Sequence, residues 1–321
     1  MNNFWEKLLK PIYALAPMAG VTDSAFRQMC KSFGADVVYS EMVSATALVY
    51  NPKKTLEMLA SDKKESPYVI QLFGNKPEHF TKAVKLLSDK KTSQKFKITG
   101  YRIPDGIDIN FGCPVKKIYK QGAGAALMDN PKLEREIIKA VIANTALPVS
   151  IKIRSFVKQT TALDFLKYLT DLDIKAMMIH GRALSSGHSG PIDYEMIKSC
   201  KKFFKGIILA NGGIKNQQDS QKMLELTKAD GIGIGQGALG RPWIFEEVKS
   251  QKLKVKKEKE ELFKIILKHS KLVQKLKHRQ GIVEMRKHLC WYIRCISNAK
   301  NLRQKLIKVE KLEDIEKILK K

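Results

Sequence analysis

The chain of 321 residues carries 59 Lys and Arg against 32 Asp and Glu, a formal charge of +27, with 44% apolar and 28% charged residues. This composition excludes collagen-like, low-complexity and disordered classes, and the length suits one large α/β domain with an appendage. No run approaches the roughly 18 uncharged apolar residues of a membrane span. The opening residues, with Glu6, Lys7 and Lys10, lack the apolar core of a secretory signal, so a cytoplasmic protein with no membrane partner is expected.

In chain order, short runs rich in β-branched residues predict strands at Ile12–Ala16, Asp36–Ser40, Tyr68–Phe73, Gly106–Asn110, Val149–Arg154, Ala176–His180, Gly206–Asn211 and Gly231–Gly235. Between them, apolar residues at helical spacing predict helices at Ser24–Phe33, Pro77–Leu87, Pro131–Ala143, Thr161–Leu172, Tyr194–Phe203 and Gln217–Thr227. The polar stretch Lys90–Pro104 reads as a surface insertion. Eight strands alternating with helices predict an α/β fold with a closed parallel sheet, a TIM (β/α)8 barrel, in preference to an open doubly wound sheet.

The pattern changes after Phe245. No strand candidate follows, and Leu262, Ile265, Ile266, Leu272, Val273 and Leu276 repeat at helical spacing. We therefore expect a barrel over residues 1–245 and an all-helical module of three or four helices over 246–321. Residues 1–245 hold 36 basic and 22 acidic side chains, and residues 246–321 hold 23 and 10. The tail is thus about three times denser in net positive charge, which a uniform lysine bias would not produce. Such a segment points to a polyanionic partner.

Barrel chemistry gathers at the C-terminal strand ends, and the ends here are polar. The glycines of Asn211-Gly212-Gly213-Ile214 and Gly235-Gln236-Gly237-Ala238 follow the last two strands, where such barrels commonly bind phosphate. Lys152 and Arg154 alternate with Ile151 and Ile153 and so share one face of the fifth strand. Two cations there call for an anionic ligand or developing negative charge, the alternative being a structural ion pair. His180 ends the sixth strand, as a ligand contact or as a structural histidine. The five cysteines include no Cys-x-x-Cys pair, against a disulfide scaffold or metal module. Cys113, between Gly112 and Pro114 just past the fourth strand, is a candidate nucleophile or acid. An unperturbed thiol is mostly protonated near neutrality.

The stretches Ala16–Phe26 (APMAGVTDSAF), Asn110–Pro114 (NFGCP), Gln121–Met128 (QGAGAALM), Lys152–Arg154, His180–Arg182, Asn211–Ile214 and Gly237–Phe245 (GALGRPWIF) stand in the order found in the tRNA-dihydrouridine synthase family. Met285-Arg286-Lys287-His288-Leu289 with Trp291-Tyr292 resembles the helical-domain motif of that family's bacterial B branch. The resemblance implies FMN in the barrel, NADPH as reductant, tRNA as partner, and saturation of the uridine C5–C6 bond. It makes Cys113 the acid that protonates C5 while hydride from flavin N5 adds at C6. It places Asn110, Lys152 and Arg154 on the uracil, which must be extruded from folded RNA to reach the pocket. It places Pro17, Met18, Gln71, Lys152 and His180 beside the flavin ring and Asn211, Gly213, Gly235 and Gly237 around its phosphate. Arg286, Lys287 and His288 become the candidate tRNA contacts. Neither a metal nor an obligate protein partner is implied.

The chain departs from the family pattern at Ala183 and His188, where Thr and Tyr are frequent. Gly213 stands where Asp is common, and Gln236 replaces a frequent Arg, shifting phosphate binding toward backbone groups and Arg241. Two other readings compete. A flavin-dependent dehydrogenase of a small pyrimidine, of the dihydroorotate type, leaves the basic tail without a purpose. A non-catalytic RNA-binding protein leaves Cys113, Lys152 and Arg154 without one.

Overall fold

The computed structural model describes residues 3–250, 257–296 and 299–320. Eight parallel strands close a barrel in chain order: β1 (Ile12–Leu15), β2 (Val37–Ser44), β3 (Tyr68–Phe73), β4 (Gly106–Asn110), β5 (Val149–Arg154), β6 (Ala176–His180), β7 (Ile207–Asn211) and β8 (Gly231–Ile234). All eight coincide with the expected runs, so the barrel replaces the open-sheet alternative. β2 runs four residues past its expected end, after a register shift between Tyr39 and Met42 against β3.

The helices start where side chains can satisfy free backbone N–H groups. Asp23 caps α1 (Ser24–Ser32), Asn130 caps Pro131–Ile142, Asp193 caps Tyr194–Phe203 and Asn216 caps Gln217–Thr227. The expected helix Thr161–Leu172 is shorter, Ala162–Lys167. Thr160–Thr161 pairs instead with Phe156–Val157 as a small hairpin. Within Lys90–Pro104 lie a short α-helix, Lys90–Lys95, and a 3-10 turn, Lys97–Thr99, and the segment is anchored by Tyr101, whose hydroxyl donates to the Leu87 carbonyl at 2.5 Å.

The barrel interior is layered. Its N-terminal part is apolar, filled by Ile12, Ala14, Val37, Tyr39, Val69, Ala176, Met178, Ile207 and Leu209. Toward the C-terminal end the same faces turn polar. Gln71, Asp108 and Ser150 occupy one register row, Asn110 and Lys152 the next, and Arg154, His180 and Asn211 the one above. β8 offers glycine on this face. A Cβ at Gly233 would fall 2.7 Å from the Met178 sulfur, so the bare strand makes room for that side chain.

Beyond β8, helix Ile244–Lys249 packs on the barrel core through Ile244, Phe245 and Val248. The long helix Lys259–Tyr292 is two helices joined at His278, whose φ of 51° breaks the helical path. Ala299–Leu306 and Leu312–Leu319 complete the tail. Leu262, Ile266, Val273, Ile282, Met285, Leu289, Leu306 and Ile315 form its core, together with Ala25 and Met29 of α1 and Trp243. Gly240 permits a close approach, since a Cβ there would lie 2.3 Å from the Trp291 carbonyl carbon and its φ is +69°. Among the described residues, no helix is long and apolar enough to cross a membrane.

Candidate active site

Cys113 sits just past β4, 7% exposed, on a loop held by Asn110. The Asn110 Oδ1 accepts the Gly112 N–H at 3.1 Å and the Cys113 N–H at 2.9 Å. The Asn110 amide donates to Gln71 Oε1 at 2.8 Å, and the Gln71 amide donates to Asp108 Oδ2 at 2.7 Å. Ser150 closes the chain by donating to Asp108 Oδ1 at 2.7 Å. Period two explains the arrangement: Asp108 and Asn110 are two residues apart, so both point into the barrel and meet Gln71 and Ser150 from the flanking strands.

The cations stand beside this network on β5, with Lys152 the register partner of Asn110. Arg154 donates through Nε to the Gly112 carbonyl at 2.9 Å, and through Nη1 to the carbonyls of Ala183 and Gly187, each at 3.3 Å. It thus ties the Cys113 loop to the loop after β6. Lys152 makes no hydrogen bond or ion pair among the described residues, although it projects into the same interior. Burial and the nearby Arg154 push its ammonium down to about 8, with Asp108 and Cys113 opposing. Burial raises the Cys113 thiol above its usual value, against the lowering effects of the Val115 backbone and of Arg154 and Lys152. The thiol is therefore protonated at neutral pH. Burial, reinforced by Lys152, Arg154 and Arg182, pushes His180 down to about 2. The ring is neutral, and it stacks at 5.9 Å on His188, which is lowered for the same reasons. A cationic cluster whose Lys152 ammonium has no hydrogen-bond or ion-pair partner among the described residues, next to two neutral imidazoles, suits an anionic or carbonyl-rich ligand.

The two glycine turns come together above β7 and β8. A Cβ at Gly237 would lie 2.1 Å from the Ile214 carbonyl oxygen, and Gly213, with φ of +72°, lies beside the Arg182 guanidinium. Asn211 donates to the Gly233 carbonyl at 2.7 Å. Met18 packs near Gly235, a Cβ there falling 3.6 Å from its sulfur, and its N–H donates to Thr22 Oγ1 at 3.2 Å. Pro17 precedes it, half-buried. Arg241 is already engaged, donating to the Lys215 carbonyl at 2.9 Å and to Glu247 at 2.5 Å.

The tail candidates divide. His288 is buried, its ring 5.0 Å from both Phe26 and His269 and 4.9 Å from Trp291. That location corrects the expectation of an RNA contact: His288 is part of the seam between tail and barrel. Arg286 donates through Nε to the Val309 carbonyl at 2.8 Å, and Lys287 donates to the Gly20 carbonyl near Met18. Sequence reasoning passed over two features. One is Asp108, on the same strand face as Asn110. The other is an exposed stripe of Lys264, Lys268, Lys271 and Lys275, whose spacing of four, three and four residues places them on one helix face.

Eight parallel strands with thiol, amides and cations gathered at their C-terminal ends define a (β/α)8-barrel enzyme. Two solved structures share the fold: histamine dehydrogenase from Rhizobium sp. 4-9 (TM-score 0.56, 10% identity, 81% of this chain and 48% of that one) and 2-naphthoyl-CoA reductase (TM-score 0.51, 11% identity, 74% and 49%). This chain spans about half of each. Residues 14–321 match the family model described as Dihydrouridine synthase (Dus). Similar relatives are tRNA-dihydrouridine synthase B of Shewanella oneidensis (34% identity, 89% of this chain and 87% of the relative) and of Pasteurella multocida (33%, 90% and 85%). A probable tRNA-dihydrouridine synthase of Aquifex aeolicus matches at 29% over 94% and 93%. The chain belongs to the dihydrouridine synthase family, and it is an oxidoreductase.

Proposed function

We propose that the protein reduces the C5–C6 double bond of a uridine in tRNA, with FMN at the barrel mouth and NADPH as the reductant. The observation that carries this reading is the buried Cys113, its loop held by Asn110 next to Lys152, which has no hydrogen-bond or ion-pair partner among the described residues. The residues present fit a flavin: an ammonium without a protein partner among the described residues, neutral His180, and two glycine turns that a Cβ at Gly237 would force apart. Pro17, Met18, Gln71, Lys152 and His180 would flank the ring, and Asn211, Gly213, Gly235 and Gly237 the phosphate. When bound, FMN supplies the hydride that adds at C6.

The chain's own residues supply the rest. Asn110, Lys152 and Arg154 bind the extruded uracil, and the positive charge of Lys152 and Arg154 meets the negative charge that develops toward O4. Cys113 gives its proton to C5, so hydride and proton together saturate the bond, and solvent returns the proton to sulfur. Residues 1–245 form the catalytic unit in this reading and 246–321 grip the RNA backbone. The exposed lysine stripe replaces His288 as the contact, Lys287 being engaged at the Gly20 carbonyl.

The test is direct. Purified protein should release FMN on denaturation. With NADPH it should add two hydrogens to a uridine of tRNA from cells lacking the enzyme, read by mass spectrometry of nucleosides. Colourless protein that no flavin reconstitutes would favour the non-catalytic RNA-binding reading. Reduction of a free pyrimidine with tRNA untouched would favour the small-molecule dehydrogenase.

A further inference from the structure

An amide side chain can be turned over at almost no steric cost, exchanging its donor and acceptor ends. Asn110 must present oxygen, not NH2, to the N–H groups of Gly112 and Cys113, because those groups only donate. Nothing in Asn110 itself enforces this. Its NH2 end meets Gln71 Oε1, so the orientation of Asn110 depends on that of Gln71. The NH2 end of Gln71 meets Asp108 Oδ2, where the chain of amides stops.

We propose that Asp108 is a positioning residue: as the acceptor-only end of the relay Asp108–Gln71–Asn110, it orients both amides and so the loop that presents Cys113. An ionised carboxylate cannot donate, so it takes the Gln71 amide hydrogen at one oxygen and the Ser150 hydroxyl at the other. The first contact turns Gln71 Oε1 toward Asn110, and the second amide follows. A neutral end group would remove this anchor and leave the two backbone N–H groups of the loop as the other restraint on the amides. Burial lifts Asp108 to about 6, with Ser150, Gln71 and Lys152 opposing, so it remains ionised at neutral pH. Tyr39 of β2 and Lys152 of β5 are the other titratable groups facing it. The three links join β3, β4 and the Cys113 loop at 2.7 to 2.9 Å, all of them buried, where hydrogen bonds are costly to leave unmade.

The inference rests on the proposed function only in taking Cys113 as the reacting thiol. Its test is the alkylation rate of Cys113 in the full-length chain, resolved by peptide mass spectrometry, which needs neither tRNA nor reductant. Gln71→Glu sets two acceptors face to face and should speed alkylation about tenfold, equivalent to about 1.4 kcal/mol for one lost buried hydrogen bond. Adding Asp108→Asn exchanges the roles: the amide now at position 108 donates to the carboxylate now at position 71, which still accepts from Asn110. The double variant should return to within about twofold of wild type, whereas independent damage would multiply. A double variant at least as reactive as Gln71→Glu, or a Gln71→Glu rate equal to wild type, overturns the proposal. If Gln71→Glu does not fold, Asp108→Asn alone serves as the reference. The double variant must then be the slower of the two, and an equal or faster rate overturns it. Because the readout is independent of turnover, failure here and failure of the dihydrouridine assay are separate results.

Discussion

Asp23→Asn should loosen the tail from the barrel by an amount the structure sets. Asp23 accepts the Phe26 N–H at 2.9 Å as the cap of α1 and meets Lys277 of the tail at 2.8 Å. Asparagine caps a helix as well as aspartate does, so the substitution removes the charge and little else. Burial alone would raise the Asp23 carboxyl. The charge and hydrogen bond of Lys277, the Phe26 N–H and His269 together bring it down to about 2. Against roughly 3.9 in an unfolded chain, that difference is worth about 2 to 3 kcal/mol at neutral pH. Lys277 keeps Glu284 at 2.8 Å, so its ammonium is not orphaned and the loss should fall at the lower end. The sign follows from a depressed folded-state pKa: the contribution is fully present above about pH 5 and lost as the pH falls from about 4 through about 2. Urea denaturation followed by circular dichroism should show a constant stability gap between variant and wild type from about pH 8 to 5. The gap should close in acid. A gap below about 0.5 kcal/mol, or one that does not narrow in acid, would refute the reasoning.

Other perturbations probe separate links. Cys113→Ala should keep flavin and tRNA binding while turnover falls by about 100- to 10,000-fold, measured in single-turnover reduction, and normal turnover would remove the thiol from the chemistry. Changing Lys264, Lys268, Lys271 and Lys275 together to Gln should weaken tRNA binding and lower its salt dependence by a slope of about three. An unchanged slope would place the RNA elsewhere. Gly240→Ala drives a methyl group into the Trp291 backbone and should cost about 1 to 3 kcal/mol, checked by thermal unfolding. A neutral result would mean that the Trp291 turn shifts freely.

The barrel was legible because the strands announce themselves locally, six of the eight expected runs ending at or against glycine, asparagine or proline. The reach of β2 to Ser44 was not, because its last residues are held by pairing with Gln71, Leu72 and Phe73 across a register shift, which no local pattern encodes. His288 could have been placed correctly. It lies three residues from Met285, next to Leu289 and four from Tyr292, all buried, so helical periodicity already assigned it to the core. The neighbouring Arg286 and Lys287 lent it a charge-based reading instead. Asp108 was equally accessible, two residues before Asn110 on one face of a strand. What sequence could not supply is the polarity of its hydrogen bonds, which exists only when β3, β4 and β5 are in register.

The tail shares its core with the barrel. Its core includes Ala25, Met29 and Trp243 from the barrel side, so removing it would strip cover from α1 and from the loop that α1 follows. That loop carries Met18, and two tail cations hold it: Lys277 at Asp23 and Lys287 at the Gly20 carbonyl. Met18 in turn lies against Gly235 on the final glycine turn. The basic segment therefore does two jobs with the same residue type, presenting lysines outward along one helix face while others brace the first barrel loop. Substituting the outward lysines separates these jobs, because the braces at Asp23 and Gly20 come from Lys277 and Lys287 and stay in place. Deleting the segment would confound them.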